Sequence, residues 1–186
     1  MQLSVLGAFQ AQNALAAAAL CHSLGVEDEA ILLGLSAFRG IGGRMELCGH
    51  VHGAPVYLDY AHHPSELFAA LSCAFTMGKR VICLFEGHTY SRAFAFRQEF
   101  ARILSTPHVC GVLPIYPARE TDTLGMSGER MACEASADFV PGYEAAAEYV
   151  LKKADKDSLV LLVGAGRIGE TLTFLKRNGG FHALKA

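Results

Sequence analysis

The sequence has few charged residues and no basic cluster. Of its 186 residues only 18% are charged, against 52% hydrophobic, and the formal net charge is −2. This composition favours a compact domain over a disordered chain. Because acids and bases are interspersed rather than gathered into a basic stripe, we expect neither nucleic acid nor a membrane surface as a partner.

Long apolar runs and a basic leader are also missing. The longest apolar stretches, residues 14–21 and 159–163, are far too short to span a bilayer, and the first four residues carry no basic side chain. Six cysteines are scattered singly with no C-x-x-C pair, so a disulfide framework is not expected. We therefore expect a cytoplasmic protein with one sizeable core.

The hydrophobic pattern predicts strands that alternate with helices. Strands are predicted at residues 2–6, 45–58 (a hairpin), 80–85, 109–116, 139–140 and 158–163. Helices are predicted at about residues 10–24, 28–38, 64–77, 90–104, within 121–135, and at 143–153 and 167–177. The alternation indicates an α/β fold with a doubly wound, mostly parallel sheet.

A glycine-rich segment separates the first two predicted helices from the rest. Residues 39–44 read Arg-Gly-Ile-Gly-Gly-Arg, with three glycines in four positions, and such a run breaks any regular element. It indicates either a domain boundary or a plain loop. Composition alone leaves both interpretations open.

Three consecutive strands end in polar turns, at residues 59–63, 88–92 and 119–120. Right-handed crossovers would place these turns on one edge of the sheet, where ligands bind in open α/β folds. Asp59, Tyr60, His62 and His63 are therefore expected to face a cleft. The alternative is that Asp59 and His63 merely cap the helix that starts at Pro64.

Other motifs give weaker signals. Residues 164–169, Gly-Ala-Gly-Arg-Ile-Gly, match a dinucleotide fingerprint, but no acid follows Glu170 and no strand long enough to follow is predicted. We favour a simple glycine turn here, and an oxidoreductase domain stays an alternative.

Two further motifs of known sites are missing. No metal-site spacing is seen among the histidines, so we expect no metal on His50, His52, His62, His63 or His88. The phosphate loop G-x-x-x-x-G-K-[ST] is missing from the sequence.

Five motifs, in this order, resemble the carboxy-terminal part of a Mur ligase. They are Gly7-x-x-Gln10-x-x-Asn13, Phe38-x-Gly40 reaching Arg44, Asp59-Tyr60-Ala61-His62-His63-Pro64-Ser65-Glu66, Phe85-x-x-His88-x-Tyr90-Ser91-Arg92, and Tyr116-Pro117-Ala118-Arg119-Glu120. The resemblance covers nearly the whole chain up to Gly166. It is strongest to the members that join an amino acid to UDP-N-acetylmuramate.

The resemblance implies a domain organisation and an activity. Residues 39–186 would form the Rossmann-like carboxy-terminal domain, and residues 1–38 would end the central ATP-binding domain. Such ligases use ATP with Mg²⁺ to activate a carboxylate as an acyl phosphate, which an amine attacks with loss of phosphate. The expected reaction joins L-alanine to UDP-N-acetylmuramate in peptidoglycan synthesis. Without the phosphate loop or Mg²⁺ ligands, the isolated chain is expected to be inactive and to need the N-terminal and central ligase domains as partners.

The resemblance also implies two groups of site residues. The nucleotide would be bound by Gln10 and Asn13 at the adenine, Asp59 at the ribose and Arg44 at the phosphates. The incoming amino acid would be held by Tyr60, His62 and Arg92, of which His62 and Arg92 would be catalytic. Arginine and histidine are well suited to orient a carboxylate and stabilise developing negative charge.

The sequence departs from the family pattern at several positions. Phe9-Gln10 stands for His-Asn, Gly43 for an arginine, Glu86-Gly87 for Gln-Pro, Thr89 for an arginine and Arg167 for an acid. Losing a bidentate donor at Thr89 weakens carboxylate binding. An amino acid other than alanine and a non-catalytic Mur-like binding module therefore stay open.

The Ala-rich helix of residues 14–20 would lack its normal partner sheet in this chain. An apolar face left exposed favours association or mobility. We expect this segment either to drive self-association or to be mobile.

Overall fold

Seven strands and eight helices make up the part of the chain that the computed structural model describes, residues 3–184. The helices are α1 (Phe9–Ser23), α2 (Asp28–Ala37), α3 (Pro64–Thr76), α4 (Tyr90–Ala95), α5 (Arg97–Leu104), α6 (Gly128–Glu134), α7 (Tyr143–Lys153) and α8 (Thr171–Asn178), the last preceded by a 3-10 turn (Ile168–Glu170). The strands are β1 (Glu46–Val51), β2 (Ala54–Asp59), β3 (Arg80–His88), β4 (Val109–Tyr116), β5 (Asp138–Phe139), β6 (Ser158–Val163) and β7 (Phe181–Ala183).

The strands form one sheet in the order β5-β4-β3-β6-β2-β1-β7. Neighbours from β5 through β2 are parallel, whereas β1 is antiparallel to both β2 and β7. This confirms the predicted mostly parallel α/β sheet and the predicted hairpin. The hairpin turn, His52–Gly53, has positive φ at both residues, as a tight two-residue connection requires.

Helices cover both faces of the sheet. All six residues of β6 are buried, as expected for a central parallel strand. Phe85 and Leu161 pack on the face covered by α3, α5 and α6, while their neighbours Leu84 and Leu162 pack under α7 and α8. This alternation follows from the period of two along a strand, and it makes the sheet doubly wound.

The first two helices lie outside this core. α1 and α2 contain no buried residue, and the first buried residue along the described chain is Met45. The strand predicted at residues 2–6 is wrong for residues 3–6, which are not in a strand, while Gln2 lies outside the described residues. A strand needs a paired neighbour, and within residues 3–184 the sheet offers this segment none.

Two features of the sheet region differ from, or add to, what the sequence predicted. The helix expected over residues 90–104 is broken at Phe96, whose φ and ψ are −111° and 26° and whose ring packs edge-on against His63 at 4.5 Å. The short strand β7, which was not predicted, follows residues 164–169 and pairs antiparallel with β1. Its three residues are too few for hydrophobic periodicity to reveal. The expectation that no strand long enough for a dinucleotide fold follows this turn stands.

Two further observations concern the cysteines and the character of the helices. All six cysteines are free, and Cys73, Cys83 and Cys110 are buried, where a thiol behaves as a small apolar group. Over the described range, none of the helices combines the length and the apolar character that crossing a bilayer requires.

Candidate active site

The three polar turns lie together at the carboxyl ends of the parallel strands, as predicted, and 'this edge' refers below to that side of the sheet. β2, β3 and β4 run in the same direction, and β6 joins β2 to β3. Asp59 at the end of β2 pairs with Val163 of β6, while His88 at the end of β3 pairs with Tyr116 at the end of β4. The side chains that follow these strands are therefore close together, at the edge where open α/β sheets bind ligands.

Asp59 anchors the first turn. The residue is 4% exposed, and its two carboxylate oxygens accept hydrogen bonds from the backbone N–H of Met45 at 2.8 Å and of Ala61 at 2.9 Å. Burial raises the pKa of this carboxyl, although the two hydrogen bonds act in the opposite direction. Asp59 thus ties the end of the 39–44 loop to β2.

His63 caps α3. Its ring accepts a hydrogen bond from the Ser65 N–H at 3.4 Å, and Glu66 accepts from the N–H groups of His62 at 3.0 Å and His63 at 3.3 Å, which completes a capping box. Burial acts to raise the pKa of Glu66, but these N–H groups and the nearby His62 ring outweigh it and lower the pKa. His63 therefore caps α3, as the alternative interpretation predicted. Asp59 does not cap this helix, because its carboxylate accepts from the N–H groups of Met45 and Ala61.

A row of side chains runs along the edge from Arg44 to Arg92. The Arg44 guanidinium lies over the Tyr60 ring, 5.3 Å from its centroid, and the Tyr60 and His62 rings meet edge-on at 5.5 Å. The His62 and His88 ring centroids are 5.8 Å apart, and Arg92 Nη1 lies 3.2 Å from both Nδ1 and the carbonyl oxygen of His88. The structure thus brings the three predicted amino-acid-binding residues together.

The two histidines of the row have different surroundings. His62 Nδ1 lies 3.0 Å from the Tyr60 carbonyl oxygen, and because a carbonyl only accepts, Nδ1 carries the proton and Nε2 is the free nitrogen of the neutral ring. Burial lowers the pKa of His88, as do the charges of Arg92 and His62, while Glu120 opposes them. The planar guanidinium of Arg92 is suited to a carboxylate ligand.

The second turn contains strained backbone. Thr89 is β-branched yet has a φ of 68°, a region that such residues rarely adopt. Its N–H donates to the Tyr116 carbonyl at 2.9 Å, and the Tyr116 ring stacks on His88 at 5.6 Å. Glu120 accepts from the Ser91 N–H at 2.9 Å and from the Ser91 hydroxyl. The second and third turns are therefore joined by hydrogen bonds. Backbone strain such as that at Thr89 concentrates at functional sites.

A cleft of about 450 Å³, here called the first cleft, opens between α1, the end of β2 and α3. All four residues predicted to bind the nucleotide line it: Gln10, Asn13, Arg44 and Asp59. The Gln10 and Asn13 amides bond each other at 3.1 Å, and apolar side chains of α1, α3 and residues 38–41 form the walls. Apolar walls with a few convergent polar groups are what a nucleoside-sized ligand requires.

The glycine-rich turn after β6 already holds an anion of the chain's own. The buried carboxylate of Glu86 accepts hydrogen bonds from the backbone N–H of Arg167 at 2.7 Å and Ile168 at 3.1 Å, and from the Tyr143 hydroxyl at 2.5 Å. In a dinucleotide site such N–H groups would face a pyrophosphate. A carboxylate in that position disfavours the oxidoreductase interpretation.

The histidines do not gather around one point. His50 and His52 lie at the β1–β2 hairpin, at the opposite end of β2 from His62 and His63. Among residues 3–184, no group of three or more His, Cys, Asp or Glu side chains is placed to hold a metal ion.

Three contributors to this edge were not among the predicted site residues. His88 and Tyr116 complete the row, and Glu86 fixes the turn after β6. His88 belongs to a predicted polar turn, so the sequence did carry a signal for it. The contacts of Tyr116 and Glu86 depend on the strand order β4-β3-β6, which local sequence does not encode.

Comparison with known proteins adds an independent finding. Residues 43–166 match the family described as Mur ligase, glutamate ligase domain. The chain is 39% identical over 186 residues to UDP-N-acetylmuramate–L-alanine ligase of Mycolicibacterium smegmatis, covering 95% of this chain and 39% of that protein. It is 41% identical over 173 residues to the ligase of the same name from Renibacterium salmoninarum, covering 91% of this chain and 37% of that one.

A solved structure gives the same result. The crystal structure of UDP-N-acetylmuramate-alanine ligase from Thermotoga maritima matches this chain with a TM-score of 0.76 at 26% identity, covering 95% of this chain and 39% of that one. The chain spans about two fifths of the length of these relatives.

Proposed function

The chain belongs to the Mur ligase family, and from that premise we propose that it is the carboxy-terminal part of an ATP-dependent ligase that joins L-alanine to UDP-N-acetylmuramate. Two relatives at 39% and 41% identity carry that reaction in their names. In this proposal residues 39–186 are the carboxy-terminal domain, residues 1–38 end the central ATP-binding domain, and the enzyme works in the cytoplasm.

The proposal rests chiefly on how the predicted site residues separate in space. The four nucleotide residues line the first cleft, and the three amino-acid residues lie in the adjoining row. The two sets of residues meet where the Arg44 guanidinium lies over the Tyr60 ring, 5.3 Å from its centroid. A ligase needs this arrangement, because the phosphoryl donor and the attacking amine must reach the same carboxylate from adjacent positions.

In the first cleft, Gln10 and Asn13 offer amide donors and acceptors to the adenine ring. Arg44 lies between that cleft and the row, where a guanidinium can bind the nucleotide phosphates. Each Asp59 oxygen accepts one backbone N–H and keeps a lone pair for a ribose hydroxyl. ATP with Mg²⁺ supplies the phosphoryl group that activates the UDP-N-acetylmuramate carboxylate, and other domains of the ligase supply the Mg²⁺ ligands.

In the row, Arg92 binds the carboxylate of the incoming amino acid, and Tyr60 packs beside it. The free Nε2 of His62 takes a proton from the amino group, which leaves a neutral amine to attack the acyl phosphate. The amine nitrogen forms the new C–N bond in a tetrahedral intermediate, the bond from carbon to the phosphate oxygen then breaks, and the second amine proton leaves with the phosphate. Because the phosphate loop is not in this sequence, the 186-residue chain alone should release no phosphate.

Steady-state kinetics of the intact ligase tests these assignments. Arg92→Ala should lower kcat/KM for the amino acid by roughly two to three orders of magnitude, because a preorganised charge contact stabilises a transition state by ~2–4 kcal/mol. The KM for ATP should stay unchanged, whereas Asp59→Ala should raise it. Arg102→Ala, which removes an exposed arginine of α5, is the matched control.

The opposite pattern would refute the proposal. If Arg92→Ala raises the KM for ATP and leaves the amino-acid dependence untouched, the assignment of the edge is wrong. His62→Ala should act on the same substrate as Arg92→Ala, with a combined loss smaller than the sum because both hold one ligand. An intact protein that releases no phosphate with ATP, L-alanine and UDP-N-acetylmuramate would instead be a non-catalytic Mur-like binding module.

A further inference from the structure

A second cleft, of about 260 Å³, opens at the carboxyl ends of β2 and β6. Tyr60 of the row lines it on the β2 side, and the turn after β6 lines it on the other. Three glycines of that turn, at positions 164, 166 and 169, line the cleft together with Arg167. A space of this size accommodates a small amino acid and is smaller than the first cleft.

The backbone of Arg167 is fixed in position. Its N–H donates to the Glu86 carboxylate at 2.7 Å, and this carboxylate also binds Ile168 and Tyr143. A buried carboxylate with three donors is a firm anchor, since breaking one bond leaves unpaired polar groups. The turn can approach this closely because residue 166 is glycine: a Cβ there would stand 2.7 Å from the Tyr116 side chain.

The same turn touches the amino-acid-binding row. Gly166 packs against Tyr116, the Tyr116 ring stacks on His88, and His88 contacts Arg92. Tyr60 belongs both to the row and to the second cleft. Arg167 therefore stands next to the row, on a different element from Arg92.

The Arg167 side chain is available to a ligand. Its Nε donates to Glu170 at 2.7 Å and its Nη2 contacts the same carboxylate, but the two side chains are 61% and 39% exposed. Exposed ion pairs of this kind contribute little to stability. A substrate carboxylate can therefore replace Glu170 without any movement of the Arg167 backbone.

We propose that Arg167 is a specificity-determining residue that binds the α-carboxylate of a small amino acid seated in the second cleft. A planar guanidinium matches a carboxylate in a bidentate arrangement. The inference rests on the proposed function, since it takes the incoming amino acid as the ligand of this edge. Arg167 holds the carboxylate from the turn after β6, and Arg92 holds it from the row.

Titration of the ¹⁵N-labelled 186-residue chain with L-alanine, followed by NMR, tests this inference. L-Alanine should shift the Arg167 Nε–H signal and the amides of Gly164 and Gly166. Arg167→Gln should weaken L-alanine binding about tenfold, as expected for loss of a charged hydrogen-bonding group. Glu170→Gln, which removes the intramolecular competitor, should strengthen it.

Two controls isolate the carboxylate contact. L-Alaninamide has no carboxylate, so it should bind the Arg167→Gln variant as well as it binds the original chain. Arg177→Gln removes an exposed arginine from α8 and should leave L-alanine binding unchanged. If Arg167→Gln disturbs amides beyond residues 164–170, Arg167→Lys takes its place, with the same requirement of weaker L-alanine and unchanged L-alaninamide binding.

The failures can be told apart. Shifts at His62 and Arg92 without any at residues 164–167, together with unchanged binding to Arg167→Gln, would overturn this inference and leave the proposed function standing. No shift at any of these positions would also overturn this inference, whereas the proposed function is decided separately by the kinetics of the intact ligase.

Discussion

The two regions of the chain differ in what they bury. From Met45 onward, strands pair and helices cover both faces, and every residue of β6 is buried. From residue 3 to residue 44, no residue is buried, and Leu15 of α1 is 71% exposed. Both regions are rich in apolar residues, yet only one of them forms a core.

The difference teaches that a strong helix former is not by itself a core element. α1 has a run of alanines with high helix propensity, but its apolar side chains pack beside α2 around an open apolar groove of about 650 Å³. Short helices take most of their stability from packing. We infer that residues 1–38 belong to a neighbouring unit of a longer protein, with the boundary in residues 39–44.

The largest contrast between the regions should come from removing one leucine from each. Leu161→Ala in β6 should lower the free energy of unfolding by about 2–5 kcal/mol, because it leaves a cavity under α3. Leu15→Ala should change it by less than about 0.5 kcal/mol, because that side chain is exposed. Urea unfolding of both variants measures the difference. Equal losses would mean that α1 shares the core.

Removing a polar contact should also destabilise the sheet region more than the first two helices, but by a smaller amount. Glu86→Ala should cost about 1–3 kcal/mol, because it leaves the N–H groups of Arg167 and Ile168 without their acceptor. Glu86→Gln keeps an acceptor and should cost less. Asn13→Ala, which removes an exposed side-chain hydrogen bond of α1, is the control and should be nearly neutral. Urea unfolding of the three variants decides; a neutral Glu86→Ala would show that the turn does not need this anchor.

The smallest expected effect is a pH dependence confined to the sheet region. The pKa of His88 is lowered in the folded state, so below the ordinary histidine pKa the unfolded state binds the proton more readily. The stabilising contribution is present above that pKa and is lost as the pH falls toward the lower folded value. In the His88→Gln variant, the free energy of unfolding should therefore depend less on pH in this window. His22→Gln in α1 is the control for loss of an imidazole. Unchanged curvature would remove His88 as its source.

The sequence predicted the strands and the gathering of their polar turns, but it missed particular contacts between residues that are distant along the chain. The strands around the site, and the position of Asp59, Tyr60, His62 and Arg92 after them, follow from apolar runs that end in polar turns. The antiparallel pairing of β7 with β1 and the hydrogen bond that the Arg167 N–H donates to Glu86 join residues far apart along the chain. The strand expected at residues 2–6 failed for a related reason. Its pattern is local, but a strand forms only beside a partner.

Hydrogen exchange compares the two regions most directly. We predict that, at concentrations where the 186-residue chain is a monomer, the amides of residues 14–20 exchange orders of magnitude faster than those of residues 81–85. α1 can open without disturbing the sheet, whereas β3 exposes its amides only when the core unfolds. Equal protection of the two stretches in a monomer would contradict this division and make α1 part of the same cooperative unit.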